Sequence, residues 1–138
     1  MVKKYYIDVC IWIDYFENRS DKFRPLGDWA FGLIKKIIND NDLILYSELV
    51  EEELSESYSD EEIENIFSIV PSELFVKVKI SDKQLVEARE LSIKKKVPLG
   101  DAIHAVLSKD NNALLITRDE HFEKLRDIII VKKPEDLI

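Results

Sequence analysis

Five short runs of mainly β-branched, aromatic and aliphatic residues recur along the chain, and longer segments with helical spacing or composition separate them. The runs are KYYI (residues 4–7), LILY (43–46), FVKVKI (75–80), ALLI (113–116) and IIIV (128–131). Helices are predicted at residues 11–17, 28–39, 48–58, 60–69, 82–95 and 99–109, with a short turn at 120–125. Strands that alternate with helices predict a mostly parallel sheet covered by helices. The sequence therefore predicts the α/β class, as a three-layer α/β/α sandwich with a central, mostly parallel five-stranded sheet.

The third run differs from the others in its pattern. Lys77 and Lys79 alternate there with Val76 and Val78, whereas strands that are buried on both faces are nearly all apolar. Lysine on an exposed strand also discourages strand-to-strand aggregation. We therefore expect this strand at an edge of the sheet.

Length, charge and apolar content limit the class of protein. With 138 residues and only three glycines and four prolines, the chain is expected to fold throughout as one domain, residues 1–138. No apolar run approaches the roughly 20 residues of a membrane helix, and a single cysteine fits a reducing compartment, so we expect a cytoplasmic protein. The formal net charge of −8 argues against a broad basic surface for nucleic acid. Any such role must rely on local basic patches or bound cations.

Polar side chains follow three of the predicted strands directly. Asp8 follows the first strand, Ser47 and several glutamates follow the second, and Thr117 and Asp119 follow the fourth. In open parallel sheets, sites form outside the carboxyl ends of the strands. Three strands thus bring carboxylates to one edge of the sheet.

The segment SELVEEEL, residues 47–54, contains four glutamates whose helical positions differ. At about 100° per residue, Glu53 falls within the apolar face of the segment, whereas Glu48, Glu51 and Glu52 face water. A carboxylate on an apolar face needs a cation or hydrogen-bond donors. Glu53 is therefore the functional candidate, and the alternative is a glutamate that reaches water at the rim. The wider run 48–64, with nine acids and no base, is interpreted as a solvated surface.

A further acid, Asp101, lies in the first turn of an otherwise apolar helix in VPLGDAIHAVLS. The helix dipole favours a carboxylate at this end, which is the simpler explanation. His104 shares the face of Asp101 and is expected to be a hydrogen-bonded core histidine rather than a metal ligand or base.

Asp8, Glu53, Asp101 and Asp119 together form a set of acids that would repel one another unless divalent cations neutralised them. Mg²⁺ and Mn²⁺ prefer oxygen ligands, and no Cys or His cluster favours zinc. Such a site suits phosphodiester hydrolysis, in which metal ions activate water and offset charge on the attacking and leaving oxygens.

Four blocks, YYIDVCIWIDYFE, YSELVEEELSE, VPLGDAIHAVLS and ALLITRDEHFEKL, resemble in content and order the motifs of PIN-domain ribonucleases. The resemblance is strongest to the single-domain VapC-type toxins of toxin–antitoxin pairs, and it covers essentially the whole chain. It implies that Asp8, Glu53, Asp101 and Asp119 are the acids that bind Mg²⁺ or Mn²⁺ and catalyse RNA cleavage.

The resemblance also implies roles for neighbouring residues. Thr117 matches a hydroxyl close to the site, and His104 and His121 match positions that are not usually catalytic. The family often has Thr and then Ser, Thr or Asn after its first aspartate, where this chain has Val9 and Cys10. Cys10 is expected to support the site, although a thiol donates hydrogen bonds only weakly.

The leading hypothesis is an endoribonuclease that cleaves single-stranded or loop RNA and is the toxin of a toxin–antitoxin pair, with an antitoxin protein as partner. A phosphoacceptor module is the alternative on the same type of sheet, but IDVC offers one acid where such modules need two, and VKIS offers none. A PIN-like module with weak catalysis, which binds a partner protein or takes part in RNA processing, is the other alternative.

Two surface roles remain as hypotheses. Lys94, Lys95 and Lys96 are predicted either to contact the RNA backbone or to stabilise a helix end. The resemblance also implies a homodimer. Aromatic residues offer anchors for its interface, and the candidates are Trp12, Trp29 and Phe31, with burial in the core as the alternative.

Overall fold

The sheet of the computed structural model, which describes residues 1–138, contains five strands that all run parallel. The strands are β1 (Lys4–Ile7), β2 (Leu43–Ser47), β3 (Phe75–Val78), β4 (Leu114–Ile116) and β5 (Val131–Lys132). Their spatial order is β3-β2-β1-β4-β5, and helices flank the sheet. The predicted α/β fold is confirmed, and β3 lies at an edge as its lysine pattern indicates, with Val76 and Lys77 exposed.

Six α-helices connect the strands. They are α1 (Val9–Phe16), α2 (Leu26–Asn39), α3 (Glu48–Ser55), α4 (Asp60–Phe67), α5 (Asp82–Lys95) and α6 (Leu99–Asp110). Side-chain caps begin four of them: Asp8 at α1, Ser47 at α3, Ser59 at α4 and Ser81 at α5. Pro25 and Pro98 immediately precede α2 and α6, where a missing backbone N–H costs little.

The last strand begins later than its sequence indicates. Residues 128–131 were expected to be extended, but the N–H groups of Ile128 and Ile129 donate to the carbonyl of Leu125 at 3.0 and 3.1 Å and form a turn. The side chain of Ile129 is nevertheless buried. Its apolar character therefore reflects burial of a turn, and β5 consists only of Val131 and Lys132.

Two other boundaries are shorter than predicted for local reasons. β3 ends at Val78 because its partner β2 ends at Ser47, which pairs with Val78, so Lys79 and Ile80 have no strand beside them. α3 ends at Ser55 rather than at Tyr58, and Ser59 begins α4 through a capping box with Glu62.

Strand β1 occupies the centre of the sheet and carries the middle of the core. Tyr6 pairs with Leu45 of β2 on one side and with Leu115 of β4 on the other. This pairing places the residues that follow β1, β2 and β4 next to one another at one edge of the sheet. Thirty buried apolar residues form a single cluster around these strands.

Trp12 lies inside this core and is completely buried. Its ring contacts Phe67 and Phe75 edge-on, with centroids 5.0 and 5.9 Å apart. Trp12 is therefore excluded as an interface anchor, whereas Phe31 is exposed and stacks on Tyr15. None of the helices combines the length and apolar composition that crossing a lipid bilayer requires.

Candidate functional site

A pocket of about 340 Å³ opens at the edge of the sheet where β1 and β4 end. Its lining contains all four acids singled out from the sequence, and the complete set is Asp8, Val9, Cys10, Glu53, Asp101, Arg118 and Asp119. The acids come from four separate parts of the chain: the β1–α1 junction, α3, the first turn of α6 and the loop after β4. The fold thus brings the predicted quartet together.

Asp8 is the most firmly held of the four acids. One carboxylate oxygen, Oδ1, accepts the N–H of Val9 at 2.8 Å, and the other accepts the hydroxyl of Thr117 at 2.7 Å. Thr117 Oγ1 in turn accepts the N–H of Asp119 at 3.0 Å. A single buried hydroxyl therefore connects the acid after β1 with the acid after β4.

The thiol of Cys10 lies beside the same groups, with Sγ 3.7 Å from both Asp8 Oδ2 and Thr117 Oγ1. Burial, followed by the negative charge of Asp8, raises the pKa of Cys10 to about 12. Cys10 is therefore a neutral, weakly donating neighbour of Asp8.

Glu53 ends a buried chain of hydrogen bonds that begins in β2. The hydroxyls of Ser47 and Tyr6 are 2.7 Å apart, Tyr6 lies 2.7 Å from Nδ1 of His104, and Nε2 of His104 lies 2.6 Å from Glu53 Oε1. Because a carboxylate only accepts hydrogen bonds, Nε2 carries the proton that it donates to Glu53. The side chain of His104 is fully buried, while that of Glu53 is 33% exposed at the pocket wall.

Protonation of His104 reflects two opposing effects. Burial favours the neutral ring, but the hydrogen bond to Glu53 and the charges of Asp8 and Glu53 outweigh it, so the pKa of His104 is raised. Burial also raises the pKa of Tyr6, which stays a neutral phenol. His104 is a core histidine, as expected, but it also contacts a site acid, which sequence reasoning missed. The distance of 98 residues between Tyr6 and His104 leaves no local signal for this contact.

Asp101 and Asp119 form the other half of the pocket with His121 between them. Nδ1 of His121 lies 3.1 Å from Asp101 Oδ2 and 2.9 Å from Asp119 Oδ1. Burial, followed by the charges of Asp119 and Asp8, raises the pKa of Asp101 to about 6. The approach of His121 does not have hydrogen-bond geometry toward Asp101, so the buried Oδ2 has no hydrogen-bond partner.

The donor atoms of the pocket fit a hard divalent cation. They fall into two groups, Asp8–Glu53–His104 and Asp101–Asp119–His121, and within each group one ligand atom per residue lies within 4.8 Å of the others. Carboxylate oxygens dominate both groups, which favours Mg²⁺ or Mn²⁺ over zinc. A buried carboxylate oxygen without a donor is costly, and a cation would compensate it.

Arg118 lines the same pocket and was missed by sequence reasoning. Its guanidinium pairs with Glu135 through two hydrogen bonds of 2.9 and 2.7 Å, and Nε lies 3.5 Å from Asp14 Oδ2. It also lies over the ring of Trp29, 5.7 Å from the centroid. Trp29 is therefore partly buried inside the molecule. The only local signal was the position of Arg118 between Thr117 and Asp119 in TRDEHF.

Lys94, Lys95 and Lys96, the candidates for contact with the RNA backbone, do not line the pocket itself. Lys95 pairs with Asp127 at 2.8 Å, and Lys96 ends α5 in the left-handed conformation, with φ of 57°. Lys94 and Lys95 lie in the last turn of α5, where a cation stabilises the helix end, and their contact with the RNA backbone stays a prediction.

A larger groove, of about 760 Å³, lies away from the quartet and contains much of the acidic run 48–64. Its lining includes Glu48, Glu51 and Glu52, and Glu51 pairs there with Lys77 at 2.5 Å. Of the four glutamates of SELVEEEL, Glu53 alone enters the pocket. Helical phase thus distinguishes Glu53 from the other three glutamates, in agreement with their positions in the structure.

Comparison with known structures shows that the fold is shared with toxin–antitoxin proteins. The chain is similar to one in the complex VapBC2 from Rickettsia felis, described as bound to a DNA fragment from its promoter, with a TM-score of 0.69, 19% identity and coverage of 94% of this chain and 98% of that chain. VapBC-1 from nontypeable Haemophilus influenzae gives a TM-score of 0.65 at 19% identity, covering 96% and 98%. A toxin–antitoxin complex from Klebsiella pneumoniae gives 0.62 at 20% identity, covering 94% and 97%.

Comparison with curated proteins finds no significant match. The identities to the solved structures are low, so those similarities concern the fold alone. A family model described as the PIN domain, however, matches residues 5–128, which include all four acids of the pocket. The chain therefore belongs to the PIN domain family.

Proposed function

We propose that this PIN domain is a Mg²⁺- or Mn²⁺-dependent endoribonuclease that cleaves single-stranded or loop RNA, and that it is the toxin of a toxin–antitoxin pair. PIN domains are generally nucleases and typically depend on divalent metal. The observation that carries the proposal is the convergence of four carboxylates on one pocket, with the buried Oδ2 of Asp101 lacking a donor.

We assign each acid a role toward the ion. Asp8, Asp101 and Asp119 would hold it, and Glu53 would complete its ligand set or orient a water molecule. When bound, the ion supplies Lewis-acid activation of water and offsets charge on the phosphodiester oxygens. Val9 N–H and Thr117 fix Asp8 for this purpose.

The remaining polar neighbours act on the acids rather than on the substrate. His104 holds Glu53 through a hydrogen bond, as partners of ligating groups commonly do. Cys10 supports Asp8 more weakly than a hydroxyl would, because its Sγ lies 3.7 Å away. Unstacked RNA fits the pocket because its phosphates are accessible, and such RNA occurs in single strands and loops.

The similar structures support an antitoxin partner, since they are toxin–antitoxin complexes. We propose an antitoxin protein as partner, a cytoplasmic location where RNA and antitoxin meet, and a homodimer in which the exposed Phe31 is an interface candidate. Finding a short upstream reading frame that encodes a DNA-binding antitoxin would favour this assignment over a housekeeping ribonuclease.

One observation favours a second candidate function, a PIN-like module with weak catalysis that acts through a partner protein or in RNA processing. Val9 and Cys10 line the pocket directly beside Asp8, where hydroxyl or amide side chains are common in the family. With fewer strong hydrogen-bond donors from side chains, the acids are positioned less precisely, which would weaken catalysis.

Cleavage of mixed RNA distinguishes the two candidates. We expect the purified protein to cleave with Mn²⁺ or Mg²⁺ and to stop when EDTA is added. Asp8→Asn and Asp101→Asn should lose at least about 100-fold in rate, because each removes an ion-binding charge. Glu52→Gln, which neutralises one acid outside the pocket, is the matched control and should retain activity.

Equal rates for the wild type, Asp8→Asn and Asp101→Asn, or activity that survives EDTA, would contradict the nuclease assignment. Absence of cleavage by a wild type that still binds Mn²⁺ would favour the partner-binding module.

A further inference from the structure

A second groove, of about 540 Å³, adjoins the acidic pocket and shares Arg118 and Asp119 with it. Six of its lining side chains are cationic and three are acidic. They are Arg24, Arg118, Lys124, Arg126, Lys132 and Lys133, against Asp119, Glu120 and Glu123. In a chain with a formal net charge of −8, this excess of positive charge is a local feature. We call this surface the basic groove.

The arginines of the basic groove are already paired with acids. Arg126 makes two hydrogen bonds with Glu123, Arg24 pairs with Asp21, and Arg118 pairs with Glu135.

The lysines are not paired in this way. The ion pairs around the basic groove are made by its arginines and not by Lys132 or Lys133, whose only contact with a carboxylate is the backbone N–H of Lys133 on Asp136. Lys124 donates only to the carbonyl of Lys96, at 3.3 Å. Three ammonium groups of the basic groove are thus available to an anion.

Hydrogen bonds through Thr117 connect the basic groove with the acidic pocket. The carbonyl of Lys132, in β5, accepts the N–H of Thr117 at 3.0 Å. Thr117 in turn donates its hydroxyl to Asp8. Thr117 therefore joins Lys132, one of the three unpaired lysines, to an acid of the proposed ion site.

The lining also restricts what kind of anion fits. Val131 is the one hydrophobic residue among the eleven, and no aromatic ring is present. The basic groove therefore lacks the apolar surface that a peptide with apolar anchor residues needs, and it lacks an aromatic ring on which a nucleobase could stack. A ligand can bind there mainly through its negative charges.

We propose that the basic groove binds the phosphates of the RNA strand on one side of the scissile bond, with Lys124, Lys132 and Lys133 as the contacting cations. The inference rests on the proposed function, because it places the cleaved phosphodiester in the adjoining pocket. It also assigns these lysines in place of Lys94, Lys95 and Lys96. Since phosphates carry no base identity, the basic groove contributes affinity without sequence preference.

Binding of a fluorescent single-stranded RNA to protein carrying Asp101→Asn, measured by anisotropy over a range of KCl concentrations, tests the proposal without cleavage. Adding Lys132→Ala and Lys133→Ala should lower the salt slope by up to about 1.4 and weaken binding about 10-fold near 0.1 M salt, because each single-strand phosphate contact contributes about 0.7 to the slope. The matched control adds Lys35→Ala and Lys83→Ala, which remove two exposed lysines outside the basic groove. It should bind like the parent.

Lys133→Ala alone changes only an exposed residue and leaves β5 intact, so it controls for a loss of structure in that strand. It should show about half of the change in salt slope. Equal binding by the groove and control variants, failure of the parent to bind RNA, or equally good competition by a polyglutamate peptide of matched charge would overturn the proposal. Groove-dependent binding without any metal-dependent cleavage by the wild type would instead contradict the proposed function alone. Metal-dependent cleavage with no effect of the lysines would contradict the groove alone.

Discussion

His104 donates a hydrogen bond from its buried Nε2 to Glu53 Oε1 over 2.6 Å, and no other glutamate of SELVEEEL has such a partner. Glu53→Gln should therefore lower RNA cleavage about 10- to 100-fold, because it removes a charge held by this bond. Glu52→Gln, one residue away on the exposed side, should hardly change it. The measurement is the single-turnover cleavage rate with Mn²⁺, and comparable losses in the two variants would contradict a special role for Glu53.

Replacement of His104 tests whether it positions Glu53. His104→Leu should weaken Mn²⁺ binding about 10-fold, because Glu53 then lacks its donor, while His104→Gln, which keeps a donor, should recover part of the affinity. Ser108→Ala is the control, since Ser108 donates to the carbonyl of His104 from the same buried helix face. Isothermal titration with Mn²⁺ measures the affinity, and a similar loss in Ser108→Ala would indicate a general disturbance of α6.

The raised pKa of Asp101 predicts a dependence of stability on pH. The folded protein holds this proton up to a pKa of about 6, whereas the ordinary value is 3.8. Ionisation of Asp101 therefore lowers the free energy of unfolding progressively as pH rises from about 4 to about 6, and this loss is constant at higher pH. Asp101→Asn should raise the Tm of metal-free protein by a few °C at pH 7.5, on the order of 1 kcal/mol, and by much less at pH 4.5.

Divalent ions should reverse the order of the Tm values of the wild type and Asp101→Asn. Mn²⁺ should raise the Tm of the wild type at pH 7.5, because the ion binds the folded state. The Tm of Asp101→Asn should rise less. Differential scanning calorimetry with and without Mn²⁺ measures both effects. An equal Tm for the two metal-free proteins at pH 7.5 would contradict the expectation that ionised Asp101 destabilises the folded protein.

Two glycines of α2 should respond differently to alanine. A Cβ at Gly27 would lie 2.6 Å from the backbone of Asn18, whereas one at Gly32 would meet only the side chain of Ile138 at 3.6 Å. Gly27→Ala should destabilise the protein by about 1–3 kcal/mol through overpacking, and Gly32→Ala should be neutral or slightly stabilising because alanine favours helix. Urea unfolding measures both, and equal midpoints would contradict the close contact.

Features with a local cause were predictable from the sequence. The strands of the sheet are short apolar runs, and Glu53 was separated from Glu52 by helical phase alone, because both follow from the geometry of one segment. The positions of Asp8, Thr117 and Asp119 at one edge followed from the rule for parallel strands.

Features that depend on distant partners were not predictable in this way. Arg118 enters the pocket because it is held by Glu135 and lies near Asp14, and neither pairing leaves a periodic signal. Ile129 resembled a strand residue, since a side chain buried in a turn and one buried in a strand are equally apolar. The unpaired lysines of the basic groove lie in the 120–125 turn, in β5 and directly after β5, rather than at the end of α5.

The hydroxyl of Thr117 and the carboxylate of Asp8 are 109 residues apart in the chain. This separation has a consequence for synthesis, because the acid pocket cannot form until the segment from Asp8 to Asp119 has left the ribosome. A nascent or truncated chain that ends before β4 lacks Asp119 and the partner that holds Asp8. The proposed ion site therefore stays incomplete on the ribosome, itself made of RNA, until β4 and the loop after it have emerged.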